Sequence, residues 1–356
     1  MPKGRTTFSK FIIEEELRAS HPDPHLTALL NDIQTACKFI ALAVARGGLN
    51  AGEAVATTTN VQGEEQKALD VIANDIMLAQ CEQGGTLCGM ASEEMDEPYP
   101  IQAEHRRGRY LLAFDPLDGS SNLDVNVTVG TIFSILRAPD GVSDPTVEHF
   151  LQPGTQQIAA GFALYGPCSM IVITLGSGVH GFTLDREIGA YTLTHPSMRI
   201  PEQTREFAIN ASNERFWEPP VRHYVAECIQ GREGLRGEDF NMRWVASMVA
   251  EVFRILVRGG LFMYPRDTKD LGKPGRLRLL YEANPMSMIV EQAGGAATTG
   301  RERLLDIAPV ALHQRVPVIL GSRSEVERLI EYHQAYDRGE DLAFDAPLFN
   351  ARTMFR

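Results

Sequence analysis

Leu111-Leu112-Ala113-Phe114 runs straight into Asp115-Pro116-Leu117-Asp118-Gly119-Ser120-Ser121-Asn122. The apolar run predicts a strand, and a strand that ends in a carboxylate presents it at the C-terminal edge of a sheet, where open α/β sheets bind ligands. Pro116 fixes φ and removes a donor, so a sharp turn is expected. That turn brings Asp118 to the ion that Asp115 meets and points the Leu117 carbonyl inward. Gly119-Ser120-Ser121 adds successive backbone N–H groups and two hydroxyls, an anion-binding nest beside a cation site. An ordinary D-P-x-D-G surface turn is the competing reading, and the strand in front and the serines behind weigh against it.

Other acids fit the same picture. Glu93-Glu94 follows the short apolar run Thr86–Met90, and Glu282 follows Leu277–Tyr281, read as a strand, before a helix Asn284–Ala293 with Pro285 at its first position. Asp70 falls in a helical period over 65–82, with Glu64 on the loop before it. Singly, each is a solvated acid. Together they suit a two- or three-magnesium site, because phosphoryl hydrolysis needs cations on attacking and leaving oxygens and a carboxylate to take the water proton. Residues 51–100 carry ten acids and one base, Lys67, whereas residues 241–280 carry eight bases against Glu251, Asp267 and Asp270. Carboxylates bind hard cations and Arg or Lys binds phosphate, so the two segments around one cleft suit a metal-assisted reaction on a phosphorylated anion. Two solvated faces are the plainer reading of the charge counts.

The spacing predicts an amphipathic helix over 25–46, stopped by Gly47-Gly48, and a small, polar loop over 51–63. Val129–Leu136 reads as a strand. Ile158–Tyr165, Met170–Thr174 and Gly181–Leu184 read as antiparallel strands separated by Gly and Pro turns. A lobe boundary is expected near Pro196–Pro201. Beyond it come strands at Phe207–Asn210, Gly260–Tyr264 and Val316–Leu320, and helices at Pro220–Ile229, Trp244–Val257 and, capped by Ser324, Glu325–Tyr336. The expected division is an N-terminal lobe over 1–198, a C-terminal lobe over 199–337 and a tail over 338–356.

Composition narrows the class. Of 356 residues, 44% are hydrophobic and 22% charged, ordinary globular proportions. No run of 18 apolar residues exists, and the start of the chain leads into Glu14-Glu15-Glu16, so no membrane span and a cytoplasmic location are expected. Lys+Arg 34 against Asp+Glu 46 leaves a net charge of −12, which counts against nucleic acid and anionic membranes as partners. Five scattered cysteines without a C-x-x-C pair read as buried free thiols. Gly176-x-Gly178-x-x-Gly181 matches a dinucleotide fingerprint by letters, but Phe182-Thr183-Leu184-Asp185 alternates like a strand where a helix is required, so a hairpin turn is expected. His21 and His25 are separated by Pro22 and Pro24, which prevent the helix that would pair them. No serine-hydrolase elbow or Walker lysine is present.

DPLDGSS after a strand, SEE at 92–94 and YEANPMSMIVEQAGG at 281–295 resemble the class I fructose-1,6-bisphosphatases, within the magnesium-dependent, lithium-sensitive sugar and inositol phosphatases. NVQGEEQKALDV at 60–71, GTIFSILR at 130–137 and ASMVAEVFRIL with GGLFMYP at 246–265 extend the likeness from about Thr6 to Tyr336. The resemblance implies an α/β (α+β) fold in a layered α-β-α-β-α arrangement with two lobes, usually tetrameric. It implies magnesium, with manganese able to substitute, held by Glu93, Asp115, the Leu117 carbonyl, Asp118 and Glu282, with Glu64 and Glu94 close by. Asp70 and Glu94 would orient and deprotonate water. Asp118, Gly119, Ser120 and Ser121 would hold the 1-phosphate. Asn210, Arg243, Tyr264 and Arg276 would hold the sugar and 6-phosphate, Arg243 with the option of reaching in from a neighbouring subunit. Thr27, Arg109, Tyr110 and Arg137 match part of the family's AMP site.

The chain departs from the family pattern at several positions. Trp244 stands where many relatives have tyrosine, Asn213 where some have another, and Arg276 replaces a lysine, which keeps charge and changes geometry. Pro24-His25 replaces a common Gly-Glu pair and removes a backbone donor from the AMP site. The implied reaction is hydrolysis of the 1-phosphate of fructose 1,6-bisphosphate, serving gluconeogenesis or the Calvin cycle. A sedoheptulose-1,7-bisphosphatase or dual-specificity enzyme stays open, with a non-catalytic phosphosugar sensor as a remote alternative.

Overall fold

The computed structural model describes residues 5–47, 58–59, 65–66, 68–270 and 272–340. Glu64, most of the 51–63 loop and the tail from 341 lie outside them. The chain opens with helices α1 (Phe8–Arg18) and α2 (Pro24–Arg46), then the short strands β1 (Thr58–Thr59) and β2 (Glu65–Gln66), and α3 (Ala68–Glu82). The helix expected over 65–82 therefore starts at Ala68, its first residues being taken by β2. The periodicity reading missed α1, although Thr7 caps it and Phe8, Phe11 and Ile12 form one buried stripe.

Next come β3 (Leu87–Ser92), β4 (Tyr99–Pro100), β5 (Tyr110–Asp118), β6 (Val129–Arg137), the one-turn α4 (Val147–Phe150), β7 (Ala159–Tyr165), β8 (Ser169–Thr174), β9 (Val179–Asp185) and β10 (Ala190–His195). The eight strands from β3 to β10 form one sheet in the order β10-β9-β8-β7-β6-β5-β3-β4, antiparallel except between β3 and β5. Gly176 and Gly178, both at positive φ, sit in the β8–β9 turn as the alternation after them requires.

A second sheet, in the order β12-β11-β13-β17-β15, is built from β11 (Glu206–Ala208), β12 (Asn241–Met242), β13 (Leu261–Tyr264), β15 (Ala296–Thr298) and β17 (Val318–Gly321). Helices α5 (Pro219–Gln230), α6 (Met248–Arg258), α7 (Asn284–Gln292) and α8 (Arg323–Asp337) surround it, and β14 (Leu277–Arg278) pairs separately with β16 (Arg315–Val316).

Strand alternation explains the layering. On the first sheet, Phe133, Ile135, Ala163 and Ile171 pack with Leu29, Ile33, Cys37 and Met77 of α2 and α3. Their neighbours Ile132, Phe162, Leu164 and Val172 face the other way and pack with Val249, Val252, Met286 and Ile289 of α6 and α7. Phe262, Val318 and Leu320 of the second sheet join that same cluster, whereas Phe207, Leu261, Met263 and Ile319 face Val221, Tyr224, Val326 and Leu329 of α5 and α8. The period of two thus gives helix, sheet, helix, sheet, helix. The expected five layers are present. Helix α2 is long and apolar enough to cross a bilayer by length and composition, but here its apolar face is packed in this core.

Several boundaries differ from expectation. Helix α6 begins at Met248, four residues after Trp244, because Ala246 adopts φ 59 and Ser247 forms the cap. Leu277–Tyr281 is strand only to Arg278; Leu279–Ala283 forms a π-helical turn leading into α7. Pro317 divides Val316–Leu320 into β16 and β17, having no N–H for a ladder. Asn210 caps a 3-10 turn and does not extend β11. Ser322 occupies the N-cap of α8, while Ser324 donates to the Glu202 carbonyl. All five cysteines are free, but Cys168 is exposed at the β7–β8 turn and not buried as expected.

Candidate active site

Strand β5 does not end at Phe114; it runs on to Asp118 through a bulge. Asp115 pairs with Ile132 and Asp118 with Gly130, so three steps on β5 oppose two on β6. In a regular strand, residues three apart point to opposite faces. The extra residue restores parity: Leu117 packs with the α2 side of the sheet, while Asp115 and Asp118 both line a cavity on the α6 and α7 side. Pro116 and Leu117 sit in the bulge, where the Thr131 hydroxyl donates to the Pro116 carbonyl at 2.8 Å and the Leu117 N–H donates to Asp115 at 2.9 Å.

Asp118 then meets the N-terminus of α6. Its Oδ2 accepts from the Ser247 hydroxyl and the Val249 N–H, each at 3.0 Å, the end of a helix where a carboxylate is stabilised. Gly119 has φ 75, and a Cβ there would lie 2.9 Å from that of Ser247, so this contact requires glycine. Glu282 arrives from the π-turn before α7. Asp115, Asp118 and Glu282 each place one oxygen within 4.8 Å of the others, all buried. Burial first, then the neighbouring carboxylates, pushes all three up: Asp118 and Glu282 to about 7, and Asp115 well above the usual range. Three buried oxygens of one sign at this separation fit a hard divalent cation, which takes oxygen donors and cancels their repulsion.

Glu93 is placed by β3, its N–H donating to the Phe114 carbonyl at 3.1 Å. Its carboxylate pairs with Arg278 at 2.6 Å, and Arg278 also reaches Glu282 at 3.7 Å and gives it a backbone N–H at 2.6 Å. The Glu94 N–H is held by the Ser92 hydroxyl, which itself donates to Asn74 of α3. Asp70 is buried in the first turn of α3 and lines the same cavity as Glu94.

The cavity, about 610 Å³, brings together Asp70, Glu93, Glu94, Asp115, Leu117, Asp118, Gly119, Ser120, Ser121, Tyr264, Arg276 and Glu282. Two expected residues are not among its lining. Asn210 accepts from the Ser212 N–H and hydroxyl in its own cap, and Arg243, half-exposed, lies 3.5 Å from Glu206. Trp244 stacks beside Phe262 and sets its edge to Tyr264, both of which line the cavity. Arg278, Asp124, Ser247 and Arg315 line it too and were not singled out from sequence. Arg278 was legible four residues before Glu282 and Asp124 just past the Asp115–Asn122 run. Arg315 carried no local signal.

Arg109, Tyr110 and Arg137 do gather, but around Asp23. The Tyr110 hydroxyl donates to Asp23 at 2.6 Å, Arg109 and Arg137 lie 3.6 and 3.8 Å from it, and Arg137 covers the Tyr110 ring. Partial burial works upward on Asp23, yet the Tyr110 hydroxyl and the two guanidinium groups hold it below the usual range. Thr27 instead donates to Glu16 of α1.

Residues 6–196 match the family description "Fructose-1-6-bisphosphatase, N-terminal domain" and residues 200–334 its C-terminal domain. The chain belongs to the fructose-1,6-bisphosphatase family. A class 1 fructose-1,6-bisphosphatase of Methylacidiphilum infernorum (isolate V4) is 66% identical over 356 residues, covering 100% of this chain and 99% of that protein. One from Hydrogenophilus thermoluteolus is 60% identical over 351 residues, 98% of this chain and 97% of its own. The holo crystal structure of Leishmania major fructose-1,6-bisphosphatase superposes with a TM-score of 0.85 at 38% identity, covering 93% of this chain and 100% of that one. Its apo form gives a TM-score of 0.81 at 37% identity over the same shares. The fructose-1,6-bisphosphatase family depends on divalent metal, and the buried carboxylates of this member supply a donor set to match.

Proposed function

We propose that the chain hydrolyses the 1-phosphate of D-fructose 1,6-bisphosphate to fructose 6-phosphate and inorganic phosphate by direct attack of water. The observation that carries the reading is the meeting of Asp115, Asp118 and Glu282 with Tyr264 and Arg276 in one cavity. A hard-cation site and a second anion site so close together suit a substrate with two phosphates better than a monophosphate.

Glu93, Asp115, the Leu117 carbonyl, Asp118 and Glu282 would hold two or three magnesium ions, or manganese in their place. When bound, those ions supply Lewis acidity at the phosphoryl oxygens and the leaving oxygen. The chain's own residues supply the rest. Asp70 and Glu94 orient water and take its proton. Gly119, Ser120 and Ser121 receive the 1-phosphate, Ser120 and Ser121 lying in the 3-10 turn that Gly119 caps. Arg276 pairs with the far phosphate and Tyr264 offers it a hydroxyl, with Trp244 packed behind that ring. Arg243 faces outward, which agrees with a role in a neighbouring protomer's site in a homotetramer. The free cysteines agree with a reducing, cytoplasmic setting. The gap between β10, which ends at His195, and β11, which starts at Glu206, supports a division into lobes over 1–198 and 199–337. In the region resembling an AMP site, Asp23 already supplies an anion to Arg109, Arg137 and Tyr110, which argues against a nucleotide phosphate there.

Phosphate release from fructose 1,6-bisphosphate, sedoheptulose 1,7-bisphosphate and inositol monophosphate, each with and without magnesium, tests the reading. Magnesium-dependent release, fastest from the fructose compound, is expected. Preference for the seven-carbon sugar would favour the sedoheptulose alternative; saturable binding without release would indicate a sensor.

A further inference from the structure

Two segments from opposite lobes carry the acids, and something must fix their separation. One tie is Arg278, which touches Glu93 and Glu282 directly. A second tie avoids the acids altogether. His313 Nε2 lies 3.0 Å from the Met95 carbonyl, two residues after Glu93, and its Nδ1 lies 2.6 Å from the hydroxyl of Tyr281, the residue before Glu282. We propose that His313 is a positioning residue: its ring couples the Met95 carbonyl to the Tyr281 hydroxyl and so holds the Glu93–Glu94 turn against Glu282. The inference rests on the catalytic reading above.

The hydrogen bonding defines the ring's state. A carbonyl only accepts, so Nε2 must carry the proton that Met95 receives. A neutral ring then leaves Nδ1 as an acceptor for the Tyr281 O–H, and both partners are satisfied. Burial favours this neutral form, lowering the His313 pKa against the opposing pull of the Met95 carbonyl. The surroundings are rigid. Tyr281 is fully buried among Cys88, Ala91, Leu280 and Leu312, and the Leu279 N–H donates to the Gln314 carbonyl at 2.7 Å. Neither Met95 nor Tyr281 offers a carboxylate, so this coupling persists whether the acids face Arg278 or a cation. Residues that orient metal ligands act through such geometry, not charge.

Calorimetric titration of the full chain with Mn²⁺ alone reads the effect directly. Tyr281→Phe and His313→Ala should each weaken binding about tenfold, the lower end of what outer ligand supports contribute, and the double variant should lose no more than one of them. His313→Gln, whose amide can donate and accept, should recover part of the loss, and KM for the bisphosphate should stay at the wild-type value. A folded His313→Ala with the wild-type isotherm, or fully additive losses, would overturn the proposal. If His313→Ala does not fold, Tyr281→Phe, which loses only an O–H, decides the same question. Phosphate release by the wild-type chain is scored separately: its absence would remove the catalytic reading while the isotherms still decide the coupling.

Discussion

Asp118 joins two duties in one side chain. Its Oδ2 fastens β5 to the start of α6 through Ser247 and Val249, and the same carboxylate closes the cluster with Asp115 and Glu282. Asparagine in its place keeps a carbonyl oxygen able to accept both hydrogen bonds, but removes the charge a cation needs. Asp118→Asn should therefore lower kcat at least about a hundredfold, the upper end of what losses around a metal cost. Without magnesium its melting temperature should not fall below that of the wild type, since one of three buried carboxyls that resist ionising together is gone. A near-normal rate in steady-state assays, or a marked drop in the metal-free melt, would refute this account. The identity of Asp118 was readable from the Asp-Pro-Leu-Asp-Gly run; its partners were not, because Ser247 and Val249 lie more than a hundred residues away and nothing local links them.

Helix α2 offers the equivalent contrast among elements. Its Asp32 sits on the boundary of the buried face, with Oδ2 shielded from solvent and, among the described residues, without a hydrogen-bond partner, and burial raises its pKa to about 6. The folded state thus holds the proton more tightly than the unfolded chain. No penalty exists below about pH 4; it grows as pH rises through the folded value and is complete near pH 8. Asp32→Asn should then stabilise the protein at pH 8 by about 1 kcal/mol, a figure discounted because solvent screens a group only half buried. The gain should shrink by pH 5. Melting curves at the two pH values check it, and an equal gain at both would exclude titration as the cause. The existence of α2 was plain from Leu26, Leu29, Leu30, Ile33 and Cys37. Elements whose shape depends on tertiary partners were not: the β5 bulge needs β6 beside it, and Glu282 leaves a π-turn that Leu277–Tyr281, apolar throughout, disguised as a strand. In β6 to β9, where the period of two decided, the expected bounds lie within two residues of the observed ones.

For the whole molecule, the cavity draws its lining from both matched stretches, residues 6–196 and 200–334, which already share a core. Ile132, Phe162 and Val172 of the first sheet lie in one cluster with Met248, Ile289 and Leu320 from beyond residue 199. Exposing either lobe alone would strip that surface from the other, so the lobes should unfold together although their lengths would permit two domains. Held by Asp115, Asp118 and Glu282 as proposed, divalent ions would add a second link across the same boundary. A ligand that binds only the folded state stabilises it by mass action, about 2.7 kcal/mol at a concentration a hundred times Kd. Scanning calorimetry should accordingly show a single transition that moves upward as a whole with magnesium and returns on chelation. Asp118→Asn should blunt that shift while leaving the transition single, because the shared apolar core is untouched. Two transitions, only one of them responsive to magnesium, would show that the lobes are energetically separate and that the cations serve one of them alone.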